Sequence, residues 1–166
     1  NANANANANA NANANANARD PYPLMSDAPK LALRLSSAMS ADASVRLAVA
    51  AEQSGFSTVW FAENPYQRGV LPAVAACAGA TRHIDLGIGV FNPYNRHPTL
   101  MAMEMGALDE LSNGRAILGI GSGVPAWVER ITPYRRPLEA VRDAVSITRG
   151  LLSGQEVNYS GKMYSA

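Results

Sequence analysis

Four clusters of small or hydrogen-bonding residues stand where chemistry could be done. They are Ser36 and Ser37; Glu63 and Asn64; Gly89, Val90 and Asn92; and Gly121, Ser122 and Gly123. None pairs a nucleophile with a base. His97 is the one histidine near them, and no serine sits on a nucleophile-elbow pattern. There is no P-loop sequence, and no histidine or acidic spacing suits a metal, so no metal site is expected. Gly119, Gly121 and Gly123 are spaced as G-x-G-x-G, one residue short of the dinucleotide fingerprint, and Val124-Pro125 follows. What remains is a surface of small residues and amides. Such a surface lets a flat ring or a phosphate approach the backbone without offering a nucleophile. A site of this kind leaves the chemistry to a cofactor. No catalytic side chain is assigned.

Those clusters must be placed by the elements that precede them. Apolar runs of strand length occupy 31–35, 57–62, 84–90 and 115–121. Between them lie helical patterns. Ser40 is placed to cap one carrying Val45, Ala48 and Val49, and Gly55 to end it. "VLPAVAACAGA" reads as a packed helix that buries Cys77. Pro98 opens a helix whose expected buried stripe is Leu100, Met103, Ala107, Leu108 and Leu111, and Asn113-Gly114 stops it. Pro137 opens another, with Leu138, Val141, Val145, Thr148 and Leu152 as its expected stripe. The tail after it alternates around Ser160-Gly161, a hairpin signal.

Four strand–helix units of about thirty residues each argue for an α/β fold with a parallel sheet covered by helices. An open doubly wound sheet and part of a (β/α)₈ barrel both fit. In either, ligands gather at the C-terminal ends of the strands, where the four clusters fall. His83 precedes the third strand and belongs to the opposite, stability face.

Bulk properties narrow the function classes. The chain has 166 residues, 48% hydrophobic, with a net charge of +1 and one cysteine. That balance gives no electrostatic case for nucleic acid or anionic membranes, no run spans a bilayer, and one cysteine allows no internal disulfide. A cytoplasmic protein acting on a small molecule is expected. Residues 1–18 alternate Asn and Ala, too poor in apolar surface to offset the ordering of the chain. We therefore expect a disordered leader and linker over 1–24 and a domain over 25–166, with Met25 as its functional start.

"GIGVFNPYNRHP", then "LDELSNGRAILGIGSG", then the segment from "PYRRPLEAVRD" to the C-terminus together resemble the luciferase-like flavin-dependent monooxygenase superfamily. The nearer likeness is to its methylenetetrahydromethanopterin reductase-like, deazaflavin-dependent branch, from about Lys30 onward. The resemblance implies a TIM-type (β/α)₈ barrel, of which this chain holds about the first four units. It implies coenzyme F-420 (8-hydroxy-5-deazaflavin) or FMN lying over the strand ends. A non-prolyl cis peptide would fall at Gly89-Val90, with Asn92 at the ring's polar edge and Gly121, Ser122 and Gly123 beside the cofactor's side chain. Glu63 and Asn64 stand where the family often has an acid and a histidine. Asn64 cannot serve as a general base near neutral pH, and Val124 replaces an acidic residue of the sugar-phosphate dehydrogenase branch. The implied activity is hydride transfer to or from a small organic substrate. An FMN-dependent monooxygenase and an inactive half-barrel or assembly module are the alternatives. Four units leave two unpaired sheet edges, so either a homo-oligomer or an absent C-terminal half-barrel is expected, truncation being the simpler.

Overall fold

The computed structural model describes residues 30–166. The expected leader over 1–24 and the start at Met25 lie outside the described residues. Nine elements follow in order: β1 (Ala32–Leu35), α1 (Ala41–Gln53), β2 (Thr58–Phe61), α2 (Val70–Ala80), β3 (Asp85–Phe91), α3 (Pro98–Ser112), β4 (Ala116–Ile120), α4 (Pro125–Val128) and α5 (Pro137–Leu152). The strands form one parallel sheet in the order β1-β2-β3-β4. Each strand thus pairs with its sequence neighbour through a helical crossover. Among the described residues no helix is long and apolar enough to cross a membrane.

Strand side chains alternate between faces, and here the two faces differ sharply. Leu35, Val59, Phe61, Leu86 and Ile88 point toward the helices and join Ala48, Val74, Cys77, Met101 and Met105 in one core. The burial of Cys77 pushes its thiol up to about 11, so it is inert packing at neutral pH. On the other face, register places Arg34, Trp60, Gly87 and Ile117 in one row. A methyl group at Gly87 would come within 2.5 Å of the Trp60 ring, and one at Gly89 within 3.1 Å. The indole therefore lies across a floor of bare backbone.

At the strand starts, two side chains replace secondary structure. Glu52, at the end of α1, accepts main-chain N–H bonds from Arg82 (2.9 Å), His83 (2.6 Å) and Ile84 (2.9 Å). Burial works against its charge, but these three donors outweigh it and hold the carboxyl below its usual range. Arg115 is buried, and its guanidinium donates to the carbonyls of Ala78, Thr81, Ile84 and Ser112 and to Thr81 Oγ1. It satisfies the chain end left open after α2. His83 is exposed at this edge, away from the strand ends.

Local signals placed the helix ends well. Ser40 Oγ accepts from Ala43 N (3.2 Å) at the start of α1. Asn113, with φ 57°, closes α3 in the left-handed conformation that asparagine tolerates, and Gly114 follows at φ 79°. The buried faces of two helices differ from expectation. In α3, Met101, Ala102, Met105, Leu108 and Ser112 are buried, whereas Leu100, Met103 and Leu111 are exposed, Met103 at 68%. The helix is apolar on several sides, so spacing alone does not choose which side meets the sheet. In α5 the buried residues are Ala140, Asp143, Ala144, Ile147 and Thr148, while Leu138 and Leu152 lie outside, Leu138 at 69%. Small alanines let α5 approach α3, and Thr148 Oγ1 donates to Pro98 O (3.3 Å).

Asp143 turns inward because the C-terminal tail supplies its partners. Its carboxylate accepts from Tyr159 Oη (2.9 Å), Met163 N (2.7 Å) and Tyr164 N (3.1 Å). Burial would raise its pKa, but these donors more than offset that and leave it below the usual carboxylate range. The tail does reverse on itself, with Ser160 bridged antiparallel to Ser165. The turn is centred on Lys162 and Met163 rather than on Ser160-Gly161.

Candidate functional site

The strand ends are stitched into one rim. Ser37 Oγ donates to Gln67 Oε1 (2.5 Å), Tyr66 Oη to Trp127 O (3.0 Å), and Tyr94 Oη to Arg135 O (2.5 Å). Burial, with Tyr134 and Tyr164 nearby, pushes the Tyr94 phenol above its ordinary pKa, which keeps it a donor. Such loop-to-loop bonds fix the rim without a ligand's help.

Within the rim lies an open cleft of about 390 Å³, within the range of small-molecule sites. Seven of the eight candidate residues line it: Glu63, Gly89, Val90, Asn92, Gly121, Ser122 and Gly123. Asn64 does not; its Oδ1 accepts from Tyr66 N (3.0 Å) and shapes the loop instead. Ser36 and Ser37 belong to a separate, water-sized depression of about 20 Å³ between β1 and β2. Among the described residues no group of histidine, cysteine or acidic side chains could hold a metal ion.

The floor of the cleft is built by β3. Between Gly89 and Phe91, β3 advances two residues while β4 advances one, from Gly119 to Ile120. Val90 is therefore the unpaired residue of a bulge, and the Gly89-Val90 peptide is cis, as the resemblance implies. Phe91 turns back into the core, and Val90 stays 38% exposed toward the cleft. The bare backbone of β4 makes room for it. A methyl at Gly121 would sit 3.0 Å from Val90 Cγ2, and one at Gly119 would sit 2.8 Å from Ile88 O.

The polar run after β3 has a structural task. Asn92 Oδ1 and Asn92 O both accept from Asn95 N (3.1 and 3.3 Å), and Asn92 O also accepts from Arg96 N (3.2 Å). This side-chain-closed turn, with φ preset at Pro93, folds the chain back on itself. His97 then caps α3, its Nδ1 accepting from Thr99 N (3.3 Å), so the imidazole is not presented to the cleft as a base. Tyr164 Oη reaches Pro93 O (2.8 Å), and the Tyr164 ring meets His97 edge-on. Because Asn92 Oδ1 is engaged, its amide nitrogen, beside Gly123, is the part left for a ligand.

The ionisable side chains on the wall are Glu63 and Arg34. Sequence spacing gave no hint of Arg34, whose place on the open face follows only from strand register. Spacing also missed Pro65 and Trp127, which form a lip because Tyr66 ties the β2 loop to α4. Arg96 was missed as well: its guanidinium donates to Glu63 Oε1 (2.9 Å), pairs with Glu104 Oε2 and stacks 4.3 Å above Phe91.

A flat heteroaromatic cofactor fits this chemistry. The floor is a valine over bare backbone, the wall carries an amide and a carboxylate, and no histidine stands beside Ser122 to activate it.

Comparison with known proteins agrees with the shape. A family model described as luciferase-like monooxygenase matches residues 18–166. The 5,10-methylenetetrahydromethanopterin reductase of Archaeoglobus fulgidus is 42% identical over 115 residues, which are 69% of this chain and 35% of that protein. An F420-dependent glucose-6-phosphate dehydrogenase of Nakamurella multipartita is 30% identical over 135 residues, 71% of this chain and 39% of its own length. The chain thus spans little more than a third of these relatives. Among solved structures, the coenzyme F420 dependent tetrahydromethanopterin reductase of Methanopyrus kandleri superposes with a TM-score of 0.78 at 27% identity, over 82% of this chain and 44% of that one. The oxygenating constituent of 3,6-diketocamphane monooxygenase from Pseudomonas putida, in complex with FMN, gives 0.72 at 21% identity over 82% and 43%, a likeness of fold alone. The four strand–helix units are part of a TIM-type barrel, and the chain belongs to the luciferase-like monooxygenase family.

Proposed function

We propose that this chain carries the cofactor face of a deazaflavin-dependent oxidoreductase that moves a hydride between coenzyme F-420 and a small organic substrate. The observation that carries the reading is the cleft at the ends of β2, β3 and β4, floored by Val90 over bare backbone and with no cysteine or base-activated hydroxyl on its wall. Bound there, the deazaflavin would supply a ring carbon that accepts or gives a hydride. The chain's own part is to position that ring. Val90 supports one face, Gly121, Ser122 and Gly123 leave space for the cofactor's side chain, and Glu63 and Asn92 meet its polar edge. Asn64 holds the loop beside them.

No imidazole stands where a general base would, so these residues orient and do not exchange protons. The names of the Nakamurella relative and of the Methanopyrus structure, both F420-dependent, favour the deazaflavin over FMN. A cytoplasmic setting, and an assembly completed by a second copy or by further strand–helix units, belong to the same proposal; the second rests on the free edges of β1 and β4 among the described residues.

The test is a titration of the purified chain with F-420 and with FMN, followed by absorbance and fluorescence. Saturable F-420 binding with weaker FMN binding is expected. The opposite ranking would favour an FMN-dependent monooxygenase, and binding of neither would favour an inactive half-barrel or assembly module.

A further inference from the structure

The open face of the sheet carries one charge near the strand ends that the fold does not answer. Register sets Arg34 beside Trp60 and Gly87 on that face, and the arginine is exposed and lines the cleft. Among the described residues its guanidinium meets no carboxylate, the ion pairs being those of Arg46 and Arg96. The other arginines at the strand ends are engaged. Arg96 holds Glu63 and Glu104, Arg68 pairs with Ala38 O, and Arg130 lies over the Tyr66 ring. Asp85 shares the face, but stands two strands across and one row down, about 12 Å away at the usual strand spacing. The Trp60 indole leans over Gly87 and Gly89, toward β3, and leaves the space above β1 to the arginine. A guanidinium has five donors and stays charged at every working pH, so these donors face the cleft in want of an acceptor.

We propose that Arg34 is a specificity-determining residue of the cleft, which binds a carboxylate on the substrate. The inference rests on the cofactor reading above and deepens it by naming the substrate class, a small organic acid. Position separates the two ligands. The ring's supports in that reading, Val90 and the run from Gly121 to Gly123, belong to β3 and to the loop after β4. Arg34 is on β1, about 10 Å from β3 and about 14 Å from β4 at the usual strand spacing. It stands beyond those supports, on the side of the cleft left to the substrate. A carboxylate suits it because the planar fork meets two coplanar oxygens at once. A phosphate is commonly met by main-chain N–H groups as well, and the loop after β1 contributes nothing to this cleft.

The experiment titrates the 166-residue chain with benzoate, its neutral isostere benzamide, and inorganic phosphate, each with and without F-420. Ligand-observed NMR follows the three probes, and F-420 fluorescence follows the loaded chain. The wild-type chain should bind benzoate about tenfold more tightly than benzamide, and more tightly than phosphate. Arg34→Met should remove that preference while leaving F-420 affinity within about threefold of wild type. Arg34→Lys, which keeps the charge without the fork, should retain part of it. A merely structural role would weaken benzoate and benzamide alike, and that result would overturn the inference. Equal binding of the two by the wild-type chain, or a preference that survives Arg34→Met, also overturns it. So does tighter binding of phosphate than of benzoate, or a loss confined to F-420, which would set the arginine on the cofactor instead. Should Arg34→Met not fold, Arg34→Gln carries the same comparison. Failure of F-420 to bind overturns the cofactor reading alone, because benzoate and benzamide on the unloaded chain still read Arg34.

Discussion

The clasp between Asp143 and the C-terminal tail sets a stability that should depend on acid in a defined way. Asp143 receives three hydrogen bonds from residues 16 to 21 positions later. Hydrogen bonds to a charged group contribute about 1.5–3 kcal/mol each, against about 1 kcal/mol for neutral ones. In Asp143→Asn the amide can turn its oxygen toward Met163 N and Tyr164 N and its NH₂ toward Tyr159 Oη, whose hydroxyl rotates to accept. All three contacts survive in neutral form, and the expected loss is about 1–2 kcal/mol. Asp143→Ala leaves two main-chain donors without an acceptor and should cost about 3–4 kcal/mol. The sign with pH follows from the depressed carboxyl. Its contribution is complete above the unfolded-state pKa, about 3.9, and is lost as pH falls through the lower folded value. Urea denaturation of wild type and both variants at pH 7, then stepwise to pH 3, measures this. The gap between wild type and Asp143→Asn should be constant above about pH 5 and should narrow below pH 4. Equal losses for Asn and Ala, or a gap that does not change with acid, would refute the reasoning. The consequence reaches the site, because the same tail carries Tyr164 to Pro93, the residue after Asn92.

Three further outcomes are expected. Glu52→Ala should cost about 2–4 kcal/mol in the same assay, since it strands three N–H groups at the entrance to β3; the wild-type advantage should fade below about pH 4, the carboxyl being held low. Arg115→Met should cost about 3–5 kcal/mol by thermal or urea melts, because four main-chain carbonyls lose their donor. Gly123→Ala should cost about 1–2 kcal/mol and weaken F-420 binding in the same titration, because Gly123 has φ +76° and a methyl there would press to 3.1 Å on the Asn92 side chain.

What the sequence displayed depended on the range of the interaction behind it. Strand runs, the Ser40 cap and the Asn113-Gly114 stop are local, so composition and spacing reveal them. The clusters at the strand ends were legible for a topological reason: a parallel sheet sends every strand exit to one edge. Helix faces were not legible where more than one side is apolar, as in α3, because the choice is made by the sheet it covers. The buried Asp143 was hidden for a different reason. An acidic residue in a helix reads as solvated unless its donors are known, and here they are main-chain groups of a tail that follows the helix.

Arg34 and Arg96 show the same limit at the site itself. Arg34 faces the cleft because β1 pairs with β2 in a register that sets it beside Trp60, a relation between strands 26 residues apart in sequence. Arg96 reads as one charge in a polar turn. Its meaning appears only when the Asn92 turn and α3 bring Glu63 and Glu104, 33 residues before it and eight after, to the two sides of its fork. The residues after β3 therefore do two separate things. Asn92 accepts the main-chain N–H bonds that close a turn, and that turn delivers the arginine that pairs with Glu63 of the loop after β2. The site is assembled by loops that are braced from behind, by Arg96 against Glu63 and Glu104 and by Asp143 against the C-terminal tail, which is why substitutions at Asp143 should change whether the loops are held at all.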